Sequence, residues 1–237
     1  MNVKEMHYDF KLKLNKIDSQ QYANFLIPEI DWFLNEAQEY FIKSIAEPRT
    51  HSYHGFEKSQ RSIDDIRELV VHNQPLIVDT YKGIAKLPDN YMFYVSGNAF
   101  VDTDKCKNIK CNLQIRQHDD MYEESPFDKT SVEWRHVNGV FTENGIQVFV
   151  DPQKRFSIKT LNISYIRKPA YIHNAEDFNP QGYTLPKKNI LTGHRDCELS
   201  EHTHREIVDI AVALASNSMD NPNYQSKLNK LQLNQLI

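Results

Sequence analysis

The spacing of apolar residues changes its period twice along the chain. Between residues 30 and 70 the apolar side chains lie mostly three and four positions apart, which indicates helices, whereas residues 75–172 are β-prone and carry turn signals, which indicates strands. Helical spacing returns after residue 200. Because strands and helices do not alternate along the chain, this order predicts an α+β protein rather than an α/β protein.

The same order predicts how the chain divides into domains. We expect residues 1–74 and 200–237 to form one discontinuous domain, in which the N- and C-terminal helices pack as a small bundle. Residues 75–172 are expected to be an insertion between them, an antiparallel β domain with the shape of a sandwich or barrel. The polar residues 173–199 are expected to be a long loop, and a loop of that length is usually functional or bound to a partner.

The helix predicted after Cys197 has a polar start and an apolar body. Ser200 is placed to cap its first free backbone N–H groups. The apolar residues that follow cover opposite sides of the helix: Ile207, Ile210, Ala211 and Leu214 lie on one side, and Val208, Val212 and Ala215 on the other. A helix that is apolar all round needs two packing partners. We therefore expect this helix to lie between layers of the protein or between subunits.

The N-terminal stretch fits two structures equally well. Residues 6–14 alternate apolar and polar side chains, as a strand or an extended arm would. The spacing of Phe10, Leu14 and Ile17 also suits a helix. The apolar pattern of this stretch leaves both structures open.

Two helices are predicted before the β region. The first is amphipathic, carries Pro28 in its first turn and runs to about Ala46, where Glu47-Pro48 stops it. The second contains Ile63–Val70 and is expected to end near His72. Strands follow, and they are predicted at residues 76–81, 91–100, 112–117, 131–137, 140–142, 146–150 and 158–166.

Two Asn-Gly pairs are expected to form hairpin turns in the β region. Asn138-Gly139 and Asn144-Gly145 each lie between β-prone runs. Both residues of such a pair accept a positive φ, which the tight turns of hairpins require. We therefore predict that the chain reverses direction at both pairs.

The composition argues against several classes of protein. The chain has 237 residues, of which 40% are hydrophobic and 25% charged, as in folded globular proteins. Its 7 glycines disfavour glycine-rich nucleotide loops, and a net charge of −4 without a basic block does not indicate nucleic-acid binding. No run approaches the ~18 apolar residues of a membrane span. The N-terminus lacks an apolar signal core, and the three cysteines suit a reducing cytosol.

The densest polar cluster lies before and within the start of the last helix, and it consists of His194, Asp196, Cys197, His202 and His204. These are residue types that zinc prefers as ligands. Positions i and i+2 of a helix point about 200° apart, however, so His202 and His204 are not expected to share a metal ion. A metal-dependent hydrolase that uses His194, Cys197, His202 and His204 is kept as an alternative function.

The remaining candidate groups have simpler interpretations. Cys106 and Cys111 lack the second pair of ligands that a zinc site needs. The acidic groups Asp102/Asp104 and Asp119–Glu124 lack calcium-loop spacing and are interpreted as exposed loop tips. No nucleophile motif is present. We therefore predict that the protein is not an enzyme and has no catalytic, cofactor-binding or metal-binding residues.

Three stretches carry a resemblance to a known family: Trp32–Ile42 in the first long helix, Leu87–Tyr94 at the entrance to the β region, and Cys197–Asp209, which is followed by the break Asn221-Pro222-Asn223-Tyr224. In these stretches and in the order of its elements, the chain resembles the head–tail connector proteins of tailed phages. These are also called adaptor or neck ring proteins, and the most similar are those of crAss-like phages. The resemblance covers most of the chain and includes no catalytic motif.

The resemblance implies a structural protein of the virion. Proteins of this family form a ring, expected to be a dodecamer, in the neck between capsid and tail. The expected partners are other copies of the chain, the portal protein and downstream tail or ring proteins. Packaged DNA is expected to pass through the channel without sequence-specific binding, and no membrane is involved. Assembly is expected in the host cytoplasm.

Two regions are expected to contact other subunits or the portal, because one is a polar helix start and the other an apolar chain end. The candidate contact residues are Glu198, Glu201, His202, His204 and Arg205 in the first region, and Tyr224, Leu228, Leu231, Leu233 and Leu236 in the second. A second alternative function, besides the hydrolase, is a β module that binds a host surface or a glycan through residues 75–172.

Overall fold

The computed structural model describes residues 1–15, 25–46, 64–79, 82–116, 130–149, 155–185 and 190–218. The chain forms two compact units, one from Met1–Leu69 with Pro169–Ile237 and the other from Val70–Lys168. We call the first the helical unit and the second the β unit. The predicted α+β class is confirmed. Within the described ranges, no helix is both long and apolar enough to cross a membrane.

The helical unit contains the helices α1 (Val3–Asn15), α2 (Ile27–Ala46), α3 (Ala175–Phe178) and α4 (His204–Ser218). Helix α4 packs against both α1 and α2, so helices from the two ends of the chain form a small bundle, as predicted. Helix α2 ends at the predicted position, Ala46. Its buried side chains recur at helical spacing and form one face: Ile30, Asp31, Leu34, Ala37, Gln38, Phe41 and Ile42.

The N-terminal stretch is a helix, which decides between the two predicted structures. Its buried apolar side chains are spaced three and four residues apart: Val3, Met6, Phe10 and Leu14. Tyr8 and Leu12, which would share one face of a strand with Met6, are exposed instead. The helix start is stabilised by Asn2 and Glu5, because the side chain of each accepts a hydrogen bond from the backbone N–H of the other (3.0 and 2.8 Å).

Helix α4 is apolar on most of its circumference, as predicted, and its buried residues are His204, Ile207, Val208, Ile210, Ala211, Val212, Ala213, Ala215 and Ser216. Contacts with α1 and α2 show that packing partners are available within its own unit. Of the two expected locations, between layers or between subunits, the first is therefore the one observed. Ser200 does not cap this helix; its hydroxyl donates to the Glu68 carboxylate (3.0 Å).

The predicted second helix ends earlier than expected. A short 3₁₀ helix, Arg67–Leu69, leads directly into strand β1, Val70–Ile77, so the prediction that the helix continues to His72 is wrong. Pro75 lies within β1, which stands at one end of the strand order. An edge position tolerates proline because the missing N–H is not needed for a second ladder.

The β unit is built on one seven-stranded sheet with the order β1-β7-β3-β4-β5-β6-β2. The strands after β1 are β2 (Ile84–Ala85), β3 (Tyr91–Thr103), β4 (Ile109–Ile115), β5 (His136–Thr142), β6 (Gly145–Val148) and β7 (Phe156–Arg167). The sheet is mixed, because β4 and β5 run parallel. The prediction of a purely antiparallel sheet is wrong at this pair.

The sheet curls back on itself, in agreement with the barrel-like prediction. Val78, just after β1, forms a bridge with Ala85 of β2, so the two ends of the strand order meet. The inner face carries an apolar core that includes Val101, Leu113 and Ile146. Leu161 and Ile163, on the long strand β7, lie fully buried in the same core.

One of the two predicted hairpins is confirmed. Strands β5 and β6 are antiparallel with Thr142 opposite Gly145, so the chain turns immediately before Gly145. The other predicted turn, Asn138-Gly139, lies inside β5, and both residues are buried. The prediction of a hairpin there is wrong, because Gly139 pairs with Val148 and also lies opposite Ile115.

The polar stretch 173–199, expected to be a loop, contains short paired strands. Strands β8 (His173–Asn174) and β11 (His194–Arg195) pair antiparallel, as do β9 (Tyr183–Thr184) and β10 (Ile190–Leu191). Helix α3 follows β8 directly. The stretch belongs to the helical unit and carries side chains of the polar network described next.

Candidate functional site

A buried carboxylate connects three parts of the helical unit. Asp31 on α2 is fully buried. Its Oδ1 lies 2.7 Å from Nε2 of His7 on α1. Its Oδ2 accepts hydrogen bonds from the Tyr183 hydroxyl (2.7 Å) and from the backbone N–H of Asn174 (3.2 Å). Residues distant in sequence are therefore held together by directional bonds to one side chain.

Asn35, one turn further along α2, adds a second link to the same region. Its side-chain oxygen accepts from the backbone N–H of Ile172 (2.8 Å), and its amide nitrogen donates to the Ile172 carbonyl (2.8 Å). The same nitrogen also donates to the Asp31 carbonyl (2.7 Å). The Asn35 side chain thus donates one hydrogen bond to the Ile172 backbone and accepts one from it, as a residue of a neighbouring strand would.

Burial shifts the pKa values of the titratable groups near Asp31. Burial, followed by the hydrogen bond to the Asp31 carboxylate, raises the pKa of Tyr183. Burial also raises the pKa of Tyr171 and lowers the pKa of His173 below its ordinary 6.5. These directions keep both phenols and the His173 imidazole in their neutral forms near pH 7.

Several buried polar atoms of the helical unit have no hydrogen-bond partner among the residues that the structure describes. They are the Tyr171 hydroxyl, Nδ1 of His173, Oδ1 of Asn174, and both amide atoms of Gln38. An unsatisfied buried polar group costs roughly 1–3 kcal/mol, so these atoms lower the stability of the helical unit where they stay unpaired. The two described pockets are lined by other residues.

The start of α4 is tied to the start of α1. His204 is 4% exposed, and its ring nitrogens lie 2.9 Å from the Met1 carbonyl oxygen and 2.8 Å from the Leu199 carbonyl oxygen. A neutral imidazole has one N–H, so only the doubly protonated ring donates to both carbonyls. Asp196 accepts a hydrogen bond from the backbone N–H of Val3 (2.7 Å). Both residues therefore act within their own unit.

The other predicted contact residues around the start of α4 differ in exposure. Glu198 is half-buried and accepts from the Ala170 backbone N–H (3.0 Å). Glu201 is exposed and lies 2.8 Å from the amino group of Met1. His202 is exposed, with Nε2 2.6 Å from Asp65. Arg205 is exposed at the edge of a groove along α1.

The side chains proposed for a metal-dependent hydrolase do not converge. His194 pairs with Glu176 (3.2 Å), His202 pairs with Asp65, and both nitrogens of His204 face carbonyl groups. Cys197 is buried, which raises the pKa of its thiol to about 11. In the described ranges, no three histidine, cysteine or acidic residues are grouped so that they could hold a metal ion. This geometry disfavours the hydrolase alternative.

The C-terminal candidates Tyr224, Leu228, Leu231, Leu233 and Leu236 lie outside the described residues. Sequence reasoning missed the Asp31 network entirely. One signal was available: Asp31 interrupts the apolar face of α2 between Ile30 and Leu34, where a carboxylate needs buried partners. Those partners come from distant parts of the chain, and the sequence contains no pattern that links them.

A family model described as phage tail ring protein 3/4 matches residues 1–227, which confirms the resemblance to crAss-like phage proteins. No curated protein matches the chain significantly. The chain belongs to the crAss-type phage tail ring protein 3/4 family, and is thus a structural ring protein of the virion.

Proposed function

We propose that this ring protein is the connector between portal and tail: a dodecameric ring in the neck that extends the DNA channel and docks the next tail component. Membership in a tail ring family carries this proposal. The helical unit supports it, because Asp31 and His204 connect its distant segments, and large side chains such as Tyr8 and Trp32 are exposed on its described helices. A rigid bundle with exposed outer faces suits a protein that acts by position rather than by reaction.

Two sets of residues are proposed to make the external contacts. The first consists of the exposed side chains at the start of α4, Glu201, His202 and Arg205. The second is the apolar C-terminal stretch, from Tyr224 to Leu236, which we propose docks on the portal. His204 supports the first set indirectly, because it fixes the helix start from within the unit.

Deletion of residues 224–237 tests the docking role. We expect the shortened chain to keep the far-ultraviolet circular dichroism of the full chain and to lose co-sedimentation with purified portal. Replacement of Leu228 and Leu231 by serine is the full-length control, and should weaken docking in the same direction. A deletion variant that binds portal like the full chain would contradict the docking role, and so would a variant that no longer folds.

Ring assembly is tested by measuring mass with and without the portal. The full chain mixed with portal should give a complex whose added mass corresponds to twelve copies. An added mass of one or two copies would contradict the ring stoichiometry. The described residues offer no observation in favour of the glycan-binding alternative, so we do not propose it.

A further inference from the structure

Helix α2 exposes an aromatic and acidic face to solvent. Trp32, Glu36 and Tyr40 lie four residues apart in succession, so they form a single row along the helix. Trp32 is 55% exposed and Tyr40 is 45% exposed, while the opposite side of α2 forms the bundle core. We call this row the α2 face. Exposed tryptophan and tyrosine residues are enriched where proteins bind each other.

A groove of opposite character lies along α1. It has a volume of about 700 Å³ and is lined by residues of α1, by the two residues before it and by Arg205 of α4. Tyr8, 69% exposed, and Leu12, 39% exposed, form its apolar part. We call it the α1 groove. It is open to solvent and lies entirely within the helical unit.

The two surfaces carry complementary charges. The α1 groove is lined by three basic side chains, Lys4, Lys13 and Arg205, against two acidic ones, Glu5 and Asp9. The exposed side of α2 has the reverse balance, with three acidic residues against one basic residue: Glu29, Glu36 and Glu39 against Lys43.

Each surface also has a charge of the required sign to offer a partner. Lys4 and Lys13 of the groove already bind acids of their own unit, at 2.8 Å in each case. Arg205 forms no ion pair with a described residue, and neither does Glu36. Arg205 stands beside the apolar groove, and Glu36 stands between two exposed aromatic rings. A guanidinium can bind a carboxylate and stack on an aromatic ring at the same time.

A ring of identical copies joins two different surfaces of the same protein, repeated around an axis. We infer that the α2 face of one copy occupies the α1 groove of the next copy, with Glu36 opposite Arg205 and with Trp32 and Tyr40 covering Tyr8 and Leu12. The inference rests on the ring assembly of the proposed function and specifies which surfaces form it. Arg205, one of the predicted contact residues, thereby obtains Glu36 as its partner. The other half of the interface is formed by α2, which was not among the predicted contact regions.

Cysteine cross-linking tests the pairing in the full-length chain. All variants carry Cys106→Ser, because Cys106 is the exposed native thiol among the described cysteines. A Tyr8→Cys chain mixed with a Trp32→Cys chain should form a disulfide dimer under mild oxidation, and neither chain alone should do so. A Trp134→Cys chain, in which the substituted residue is more exposed than Trp32 (75% against 55%) but lies in the β unit, is the control and should not cross-link to Tyr8→Cys.

A charge swap gives an independent test of the same contact. Arg205→Glu and Glu36→Arg should each lower the yield of cross-linked dimer at least tenfold, because each places like charges together. A chain that carries both reversals should recover most of the yield. Equal yields in all variants would overturn the pairing.

The remaining outcomes separate the pairing from the proposed function. A ring that assembles on portal with unchanged yield in both single reversals overturns the pairing and leaves the connector role intact. A chain that never joins a portal complex removes the connector role itself. An efficient disulfide within one chain, between Tyr8→Cys and Leu231→Cys, would show that the chain's own C-terminal stretch fills the groove, and would overturn the pairing.

Discussion

The helical unit and the β unit bury polar groups to very different extents. Of the ten buried polar residues among those described, eight belong to the helical unit: His7, Asp31, Gln38, His173, Asn174, Thr203, His204 and Ser216. The β unit contributes two, Asn138 and Ser164. Its core is otherwise a continuous apolar cluster on a paired sheet. The two units therefore reach a defined structure by different physical means.

The difference follows from how each unit is connected. The β unit is one continuous segment, and backbone ladders fix the register of each strand. The helical unit joins two segments separated by the whole β unit, and helices have no ladder between them. Hydrophobic packing alone tolerates sliding, whereas hydrogen bonds such as those of Asp31 require one arrangement. We therefore expect single polar substitutions to damage the helical unit more than the β unit.

The largest expected effect is the loss of the Asp31 carboxylate. Asp31→Ala leaves His7, Tyr183 and the Asn174 N–H without their shared acceptor, and should lower the free energy of unfolding by about 3–5 kcal/mol. Urea unfolding followed by circular dichroism at 222 nm measures this. Ser164→Ala is the β-unit control. It removes one hydrogen bond, which the Ser164 hydroxyl accepts from the Asn73 N–H, and should cost about 1 kcal/mol. Equal losses of stability in Asp31→Ala and Ser164→Ala would contradict the expectation that the helical unit depends more on its buried polar groups than the β unit does.

A backbone position is the sensitive point of the β unit. A Cβ at Gly145 would lie 2.1 Å from the Ala85 carbonyl oxygen, and the residue has φ +134. Gly145→Ala should therefore cost about 2–4 kcal/mol, since strain and overlap add. The control is Gly193→Ala in the helical unit, where φ is +74 and no atom lies within 4 Å of the new Cβ, so about 1 kcal/mol is expected. Hydrogen exchange measured on individual peptides should show reduced protection in the β unit for Gly145→Ala and in the helical unit for Gly193→Ala. A harmless Gly145→Ala would contradict the close approach of β6 to β2.

The two histidines at the start of α4 give a matched pair within the helical unit. His204→Ala removes the ring that lies within hydrogen-bond distance of the Met1 and Leu199 carbonyls and leaves a cavity, so a loss of about 2–3 kcal/mol is expected. His202→Ala removes an exposed pair with Asp65 and should cost less than about 1 kcal/mol. Thermal unfolding of both variants makes the comparison. A larger loss of stability in His202→Ala than in His204→Ala would contradict the structural role that we assign to the buried His204 ring.

The smallest expected effect is a dependence of stability on pH. Burial lowers the pKa of His173 below 6.5, so the unfolded chain takes up a proton as the pH falls through 6.5 while the folded chain does not. The stability of the helical unit should therefore decrease as the pH falls from about 6.5 towards the lowered pKa, and should be unaffected by this group above it. His173→Gln should flatten the difference in urea midpoint between pH 7 and pH 5.5. His72→Gln, at an exposed position of β1, is the control and should leave that difference unchanged.

The parts of the fold that depend on local patterns could be predicted from the sequence. The amphipathic period of α2, the apolar circumference of α4 and the turn before Gly145 each arise from neighbouring residues. Helix α1 was ambiguous, because alternation and helical spacing coincide over Met6–Leu14. Burial of Val3 and Phe10 together, which needs a helix, depends on the tertiary fold.

Features set by distant contacts could not be predicted. The Asn138-Gly139 pair has the composition of a turn, yet Gly139 lies inside a strand because its missing side chain admits the side chains of Leu113 and Ile146 at 3.2–3.3 Å from a Cβ position. The sequence likewise contains no local signal for the parallel pairing of β4 with β5. The partners of Asp31 come from residues as distant as Tyr183, so the site was invisible to any local pattern.

The division of the helical unit into two segments has a consequence for its synthesis. The ribosome completes α1 and α2 before the β unit, and α4, against which both pack, emerges only after it. At typical elongation rates the wait is on the order of ten seconds. During that time α1 and α2 lack the helix against which both pack in the finished protein. The helical unit therefore reaches its final packing only after α4 has been made, although its first two helices are among the earliest parts of the chain.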